Sequence, residues 1–142
     1  MACAQCNPIK KVEAQAYPIN YTELQNYFVQ TNIVPTKKVQ KIIIDNEQHF
    51  KSVLGAAAVM GRNGQPTPVN FKTQYVLAIV LPETDRETQV IPAEISQTGN
   101  TVIVNYRVKK GKKMSYTMVP FTAVAIDKPD VDSQIEFYFN QL

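Results

Sequence analysis

Apolar and polar residues alternate along several stretches of this chain, with the period of two that predicts β-strands. The clearest stretch is residues 101–109, where one face carries four apolar side chains: Val102, Val104, Tyr106 and Val108. Because successive side chains of a strand point to opposite faces, we expect this face to cover a core and the other face to meet solvent.

A second stretch, residues 71–81, ends in the almost continuous apolar sequence YVLAIVL. A strand without polar alternation is typical of the centre of a sheet that is covered on both faces. Further strands are predicted at residues 26–31, 39–44, 89–96, 115–126 and 134–139, which brings the total to about seven. Pro92 marks an edge strand or a bulge, and Pro120 interrupts the strand in which it lies.

One helix is predicted, over about residues 46–54. Asp45 is placed as its N-cap and Gln48 as the capping-box partner, because these side chains can bond the free N–H groups of a first turn. The apolar positions of this segment fall on one face at helical spacing: Phe50, Val53 and Leu54. Gly55 is placed as the stop.

Short polar segments between the predicted strands indicate turns. Residues 98–100 and 110–112 contain glycine and are predicted as hairpin turns, and residues 82–87 are predicted as a charged turn. Tight turns join antiparallel strands. We therefore expect a mostly β fold, an antiparallel barrel or sandwich of about seven strands with one short helix packed against it.

The composition supports this fold class. The chain has 16 Val, 12 Ile and 11 Thr but 5 Leu, and β-branched side chains favour sheets over helices. A length of 142 residues suits one domain. We place this domain at residues 17–142 and a flexible leader at residues 1–16, because the leader has no clear period.

The start of the chain bears on the compartment. Ala2-Cys3 resembles the end of a bacterial lipoprotein signal, in which a small residue precedes the lipidated cysteine. This favours an exported protein, periplasmic or on the outer surface, with a lipid on Cys3 as membrane anchor. The alternative is a cytoplasmic protein, because the opening MACAQC lacks the apolar core of a signal peptide.

Few residues suit catalysis or metal binding. His49 is the single histidine, and Cys3 and Cys6 are the two cysteines. A structural zinc site needs four ligands, and a nucleophile needs a nearby base. The sequence also lacks the glycine-rich motifs that bind phosphate or dinucleotides. We therefore expect no enzyme activity, no metal and no cofactor.

Two segments favour contact with a partner. Residues 61–68 form a loop stiffened by Pro66 and Pro68, and a rigid segment loses little entropy on binding. The alternative is an ordinary connection between helix and strand. The second segment is a basic cluster near Tyr106 and Tyr116, formed by Arg107, Lys109, Lys110, Lys112 and Lys113.

This basic cluster has two interpretations. It could steer an acidic protein partner, or its lysines could keep a hairpin soluble and discourage edge-to-edge association. The formal net charge of the chain is +3, which is too small to indicate a nucleic-acid-binding protein. No nucleic acid is therefore expected among the partners.

Residues 39–54 (VQKIIIDNEQHFKSVL) and 75–81 (YVLAIVL) resemble the strand–helix–strand opening of a small β-rich domain. That domain lies at the C-terminus of PrcB-type protease-complex subunits, and residues 101–108 and 118–126 are similar to its later strands. The family's Thr-Gly-Gly-Tyr-like turn is replaced here by residues 82–88 (PETDRET). The resemblance implies a non-catalytic partner of proteases, either an inhibitor or an accessory subunit.

The resemblance also implies three contact segments, residues 62–68, 83–88 and 109–113. The contact residues expected within them are Arg62, Asn63, Gln65, Pro66, Thr67, Asp85, Arg86, Lys110, Lys112 and Lys113. We expect a protein-binding domain that presents rigid loops to a protease. The alternative function is a β-barrel that carries a small apolar ligand. A large apolar cavity would favour the carrier, and a filled core would favour the binding domain.

Overall fold

The computed structural model describes residues 15–30, 33, 37–57, 64–131 and 134–142, and in these ranges the chain forms ten strands and one helix. In chain order they are β1 (Tyr17–Pro18), β2 (Tyr21–Glu23), β3 (Tyr27–Val29), β4 (Gln40–Ile44), α1 (Glu47–Val53), β5 (Leu54–Ala56), β6 (Gln74–Val80), β7 (Thr84–Thr98), β8 (Thr101–Met118), β9 (Phe121–Asp127) and β10 (Glu136–Gln141). The mostly β fold with one short helix is confirmed.

The strands form three open sheets, and not a closed barrel, across the described ranges. Sheet A has the order β1-β7-β8-β10, sheet B the order β2-β9-β6-β4, and sheet C pairs β3 with β5. Of the two predicted architectures, the sandwich is therefore the observed one. The strand count exceeds the expected seven because β1, β2 and β5 have only two or three residues each.

One strand departs from the expected antiparallel pairing. β10 runs parallel to β8, with Glu136 opposite Thr101 and Gln141 opposite Tyr106. A tight turn fixes antiparallel pairing only for strands that follow each other directly. β10 follows β9 of sheet B and joins sheet A, so no tight turn sets its direction.

The inter-sheet core lies between sheets A and B. Its most enclosed side chains come from β6 and β9 on one side and from β7 and β8 on the other: Leu77, Ile126, Ile95, Val102 and Val104. Each of them is at most 1 % exposed. A water-sized space beside these side chains would raise their exposure, so they pack against one another as in a close-packed interior.

The helix-side core covers the other face of sheet B. The small residues Ala78, Ala123 and Ala125 on that face allow close approach, and Phe50 and Val53 of α1 pack there. β6 is therefore covered on both faces. This confirms the prediction made for residues 71–81, although the strand begins only at Gln74.

The ends of α1 differ in detail from the prediction. The N-cap is Asn46 and not Asp45, because the Asn46 side chain accepts a hydrogen bond from the backbone N–H of His49 at 2.8 Å. Gly55 is not a helix stop, since the chain passes from α1 straight into β5. A Cβ atom at Gly55 would overlap the ring of Phe28 on the paired strand, so glycine is needed there for close approach.

The predicted turn at residues 98–100 and the predicted bulge at Pro92 are both confirmed in sheet A. Gly99 has a φ of 61°, which suits glycine in the tight turn between β7 and β8. The register of this hairpin shifts between Pro92 and Ile95, and the shift is the bulge that proline indicated.

Candidate functional site

The outer halves of β7 and β8 form a two-stranded ribbon. β1 pairs with β7 only at residues 96–97, and β10 pairs with β8 only at residues 101–106. Residues 84–91 and 107–118 continue beyond these neighbours as an antiparallel pair. Within the described residues, no third strand flanks this pair. We call these two segments the ribbon.

The ribbon replaces two predicted turns. Residues 82–87 and 110–112 were expected to be turns, but from Thr84 onwards these positions lie in continuous strands. Lys110 is paired with Thr88 and Lys113 with Arg86. Two of the three expected contact segments, residues 83–88 and 109–113, are thus brought together.

Gly111 explains why the second turn prediction failed. A Cβ atom there would lie 2.7 Å from Oε1 and 3.4 Å from the backbone oxygen of Glu87. The nearest of these atoms is the flexible end of the Glu87 side chain, which can move aside. Gly111 also lies where the register shifts between the pairs Thr88–Lys110 and Arg86–Lys113, and glycine is common at such a bulge. Sequence alone does not separate a glycine in a strand bulge from a glycine in a turn.

A large bulge lies at the end of the ribbon where Thr84 pairs with Met118. Arg86 is opposite Lys113 and Thr84 is opposite Met118, so the four residues 114–117 face a single residue of β7. The bulge carries Tyr116, whose side chain is 63 % exposed. Its neighbour Thr117 is held by a 2.6 Å hydrogen bond from its hydroxyl to Oε2 of Glu83. A bulge re-aims side chains, and this one presents Tyr116 to solvent.

Charged side chains cross-link the two strands of the ribbon at the surface. Nη1 of Arg86 donates a hydrogen bond to the backbone oxygen of Gly111 at 3.2 Å. Nζ of Lys113 lies 3.7 Å from Oδ2 of Asp85, with side chains 74 % and 47 % exposed. Such an exposed ion pair contributes little to stability. Both groups remain accessible to a partner.

The net positive charge of the protein is concentrated here. The ribbon carries six basic side chains (Arg86, Arg107, Lys109, Lys110, Lys112 and Lys113) and two acidic ones (Asp85 and Glu87). Their sum is +4, against a formal net charge of +3 for the whole chain. A shallow depression of about 300 Å³ lies among Glu87, Gln89, Lys109, Lys110 and Gly111. This surface is suited to carboxylate-bearing partners.

The third expected contact segment lies elsewhere. Thr67 is bonded to Gln25 in both directions, since its Oγ1 accepts from Gln25 N–H at 2.9 Å and its own N–H donates to Gln25 O at 3.2 Å. Asn26 Nδ2 donates to Gln65 O at 2.9 Å, and the Tyr27 hydroxyl donates to Thr67 O at 2.6 Å. The loop is thus tied to the start of β3 and does not join the ribbon. Arg62 and Asn63 lie outside the described residues.

Two tyrosines give the fold a testable dependence on alkaline pH. Burial raises the pKa of Tyr27 and of Tyr106 above the ordinary value of 10.0. The unfolded chain therefore loses these protons first, and we expect the free energy of unfolding to fall as pH rises from about 10 through the raised pKa values. Below about 10 these groups should add no pH dependence.

Urea titrations between pH 8.5 and 11.5 would measure this effect. The matched variant is Tyr106→Phe, which keeps the buried ring and removes the ionisable hydroxyl; its stability should fall less steeply above pH 10. An equal slope in Tyr106→Phe and the parent protein would contradict the assignment of the effect to Tyr106.

Among the described residues, neither the histidine nor any acidic residue forms a recognisable catalytic or metal-binding group. His49 lies half-buried in α1, with its backbone N–H on Asn46 and its backbone oxygen accepting from the Ser52 hydroxyl. In the part of the chain that is described, no three His, Cys, Asp or Glu residues are grouped as metal ligands. No helix there is long and apolar enough to cross a membrane. Cys3 and Cys6, and with them the lipidation hypothesis, fall outside the described ranges.

Sequence reasoning missed part of the ribbon surface. Gln89 lines the depression but lies outside the expected contact segments, and Glu87 and Gly111 line it within those segments without having been named as contact residues. Tyr116 lies on the bulge. The one signal for Tyr116 in the sequence is its position near the basic cluster. The bulge that exposes it depends on pairing with β7, which no local pattern reveals. Comparisons with protein-family models, with curated proteins and with solved structures found no match to this chain.

Proposed function

We propose that this protein is a non-catalytic protein-binding domain whose contact surface is the ribbon. The observation that carries the proposal is the pairing of residues 83–88 with residues 109–113 in a two-stranded element that no further strand of the described chain flanks. Both segments were expected to contact a partner, and together they form one continuous surface.

The physical character of the ribbon supports this role. A β-ribbon braced by cross-strand bonds is already ordered, so binding costs less conformational entropy than ordering a loop. Tyr116 offers a large exposed aromatic ring, the type of side chain that often dominates binding energy. The surrounding lysines favour encounter with acidic proteins.

A protease is the partner class that we propose. The strand–helix–strand segment of residues 39–54 and 75–81 resembles domains of protease-complex subunits. Protease clefts accept extended backbone, and the ribbon offers extended backbone with basic side chains. An inhibitor or an accessory subunit would use this surface in the same way.

The alternative proposal, a carrier of a small apolar ligand, has less support. A carrier needs an interior cavity, whereas the side chains between sheets A and B that are most enclosed are at most 1 % exposed. The sheets are also open at their edges in the described residues. Packing of this kind favours the binding domain.

The proposal is tested by inhibition of peptidase activity in an extract of the source organism. We expect the purified protein to slow hydrolysis of fluorogenic peptides, and the double variant Lys110→Glu/Lys112→Glu to require about tenfold or more protein for the same inhibition, because reversed charges repel an acidic partner. The matched control is Lys41→Glu/Lys72→Glu, which changes the net charge equally at exposed positions outside the ribbon.

A third variant separates the ribbon from the loop. Pro66→Gly loosens the segment tied to β3 and should leave the inhibition unchanged. An absence of inhibition by the parent protein, and of stable binding to any peptidase in the extract, would contradict the protease proposal. Equal weakening by the ribbon variant and the charge control would contradict the ribbon as the contact surface.

A further inference from the structure

The outer edge of β8 is the edge that β10 occupies along residues 101–106. Two hydrogen bonds show which residues of β8 face it. The backbone N–H of Glu136 donates to Asn100 O at 2.9 Å, and that of Leu142 donates to Tyr106 O at 2.8 Å. Since the N–H and C=O groups of successive strand residues point alternately to the two sides, even-numbered residues of β8 face its outer edge.

The same alternation continues into the ribbon. Beyond Tyr106, the backbone groups of Val108 and Lys110 point to the outer edge, while Arg107 and Lys109 face their partners on β7. β10 does not extend along this part of β8. Among the described strands none pairs with β8 here, so the ribbon presents an edge at which an added strand can form main-chain hydrogen bonds.

The opposite edge of the ribbon, along β7, is less suited to an added strand. Pro92 has no N–H, and its C=O accepts a hydrogen bond from the Tyr21 hydroxyl at 3.3 Å. The β7 side also carries the acidic residues of the ribbon, Asp85 and Glu87, and Glu83 precedes them. A basic segment could be attracted there, but the proline and the tyrosine obstruct the backbone edge at residue 92, where the ribbon joins the rest of sheet A.

We propose that an extended acidic segment of a partner protein adds as a strand to the outer edge of β8 along residues 107–110, up to the register shift that follows Lys110. Arg107 and Lys109 are exposed and lie on the face away from the inter-sheet core, so carboxylates at alternate positions of the added strand would lie opposite basic side chains. Main-chain bonds would supply affinity and the charge pattern would supply selectivity. This rests on the proposed function, because it specifies how the ribbon holds its partner.

Amide hydrogen exchange of the ¹⁵N-labelled protein tests the geometry directly. The probe is a ten-residue peptide of alternating glutamate and threonine; a lysine–threonine peptide is the charge control, and a ten-nucleotide single-stranded DNA is a polyanion without amides. At saturating glutamate–threonine peptide, exchange at Val108 and Lys110 should slow about tenfold or more, because new hydrogen bonds protect these amides. Neither control should protect them.

Each other outcome overturns strand addition. Binding of the acidic peptide without protection at Val108 and Lys110, or an equal response to DNA, would show attraction by charge alone. Protection that grows with protein concentration in the absence of peptide would make a second copy of this chain the occupant. No binding of the peptide overturns the inference as well. The inhibition assay on the ribbon variants tests the proposed function independently of these exchange measurements.

Two variants at one position separate backbone from charge. Lys110→Pro removes the outward N–H, and Lys110→Gln removes the charge but keeps the N–H. We expect the proline variant to weaken peptide binding about tenfold and the glutamine variant by less than about threefold. Equal weakening would overturn the inference. Should Lys110→Pro fail to fold, the exchange measurement on the parent protein decides alone.

Discussion

Replacing Leu77 by alanine should lower the free energy of unfolding by about 2–5 kcal/mol. Leu77 lies on the central strand β6, is 1 % exposed and packs in the inter-sheet core. Truncation removes apolar contact with both sheets, and the neighbouring β-branched side chains are too stiff to fill the space. The free energy of unfolding of a small domain is about 5–15 kcal/mol, so this substitution would remove a large share of it.

Urea unfolding followed by far-ultraviolet circular dichroism would measure the loss. The matched control is Leu142→Ala, in which the same side chain is 56 % exposed, and its effect should be within about 0.5 kcal/mol. A cost of less than about 1 kcal/mol for Leu77→Ala would show that the two sheets do not pack as described.

Replacing Phe50 by alanine should cost about 3–5 kcal/mol. Phe50 is 8 % exposed and joins α1 to sheet B. Its ring lies 5.3 Å, centroid to centroid, from both Tyr27 and Phe71, edge-on to the first and tilted to the second. Such aromatic pairs stabilise the fold beyond what the burial of apolar surface contributes. The substitution should also loosen the loop at Thr67, because Tyr27 packs on Phe50 and its hydroxyl donates a hydrogen bond to the backbone oxygen of Thr67.

Phe28→Ala is the matched control for Phe50→Ala. The same side-chain change occurs on β3, where the phenyl ring is 45 % exposed, so the cost should be clearly smaller. Faster amide exchange at Thr67 in Phe50→Ala, but not in a variant of the inter-sheet core, would link the helix-side core to the loop. Similar unfolding energies for Phe50→Ala and Phe28→Ala would contradict this account.

Local patterns predicted the strands that face a core. Val102, Val104 and Tyr106 are 0, 1 and 2 % exposed, as their alternation indicated. The apolar run in β6 also identified the strand that is covered twice. These predictions succeeded because burial on one face leaves a period of two in the sequence, and burial on both faces leaves a continuous apolar run.

Exposed and non-local features could not be predicted in the same way. Most side chains of residues 84–88 and 109–113 meet solvent, and the buried Thr88 is itself polar, so these segments are as polar as a turn and no apolar period distinguishes them. Gly111 lies at a register shift opposite Glu87, and such a shift depends on the partner strand. The parallel pairing of β10 with β8 likewise depends on residues that are more than 30 positions apart in the chain.

The candidate site was predicted in pieces but not as a whole. The basic residues Lys110, Lys112 and Lys113 and the charged residues Asp85 and Arg86 were identified as contact residues, and the structure pairs their segments. The loop at Pro66 and Thr67 was grouped with them because proline indicates stiffness. Its rigidity comes instead from hydrogen bonds to Gln25, Asn26 and Tyr27, which no local pattern reveals.

Sheet B joins residues from distant parts of the chain, since Tyr21 of β2 is paired with Ile126 of β9. β9 also lies between β2 and β6, so it is the strand that unites the sheet. During synthesis, β4 and β6 leave the ribosome well before β9 and expose apolar surface until it arrives. The chain must close this long loop before most of its apolar surface is buried, so we expect it to fold more slowly than a helical domain of similar length.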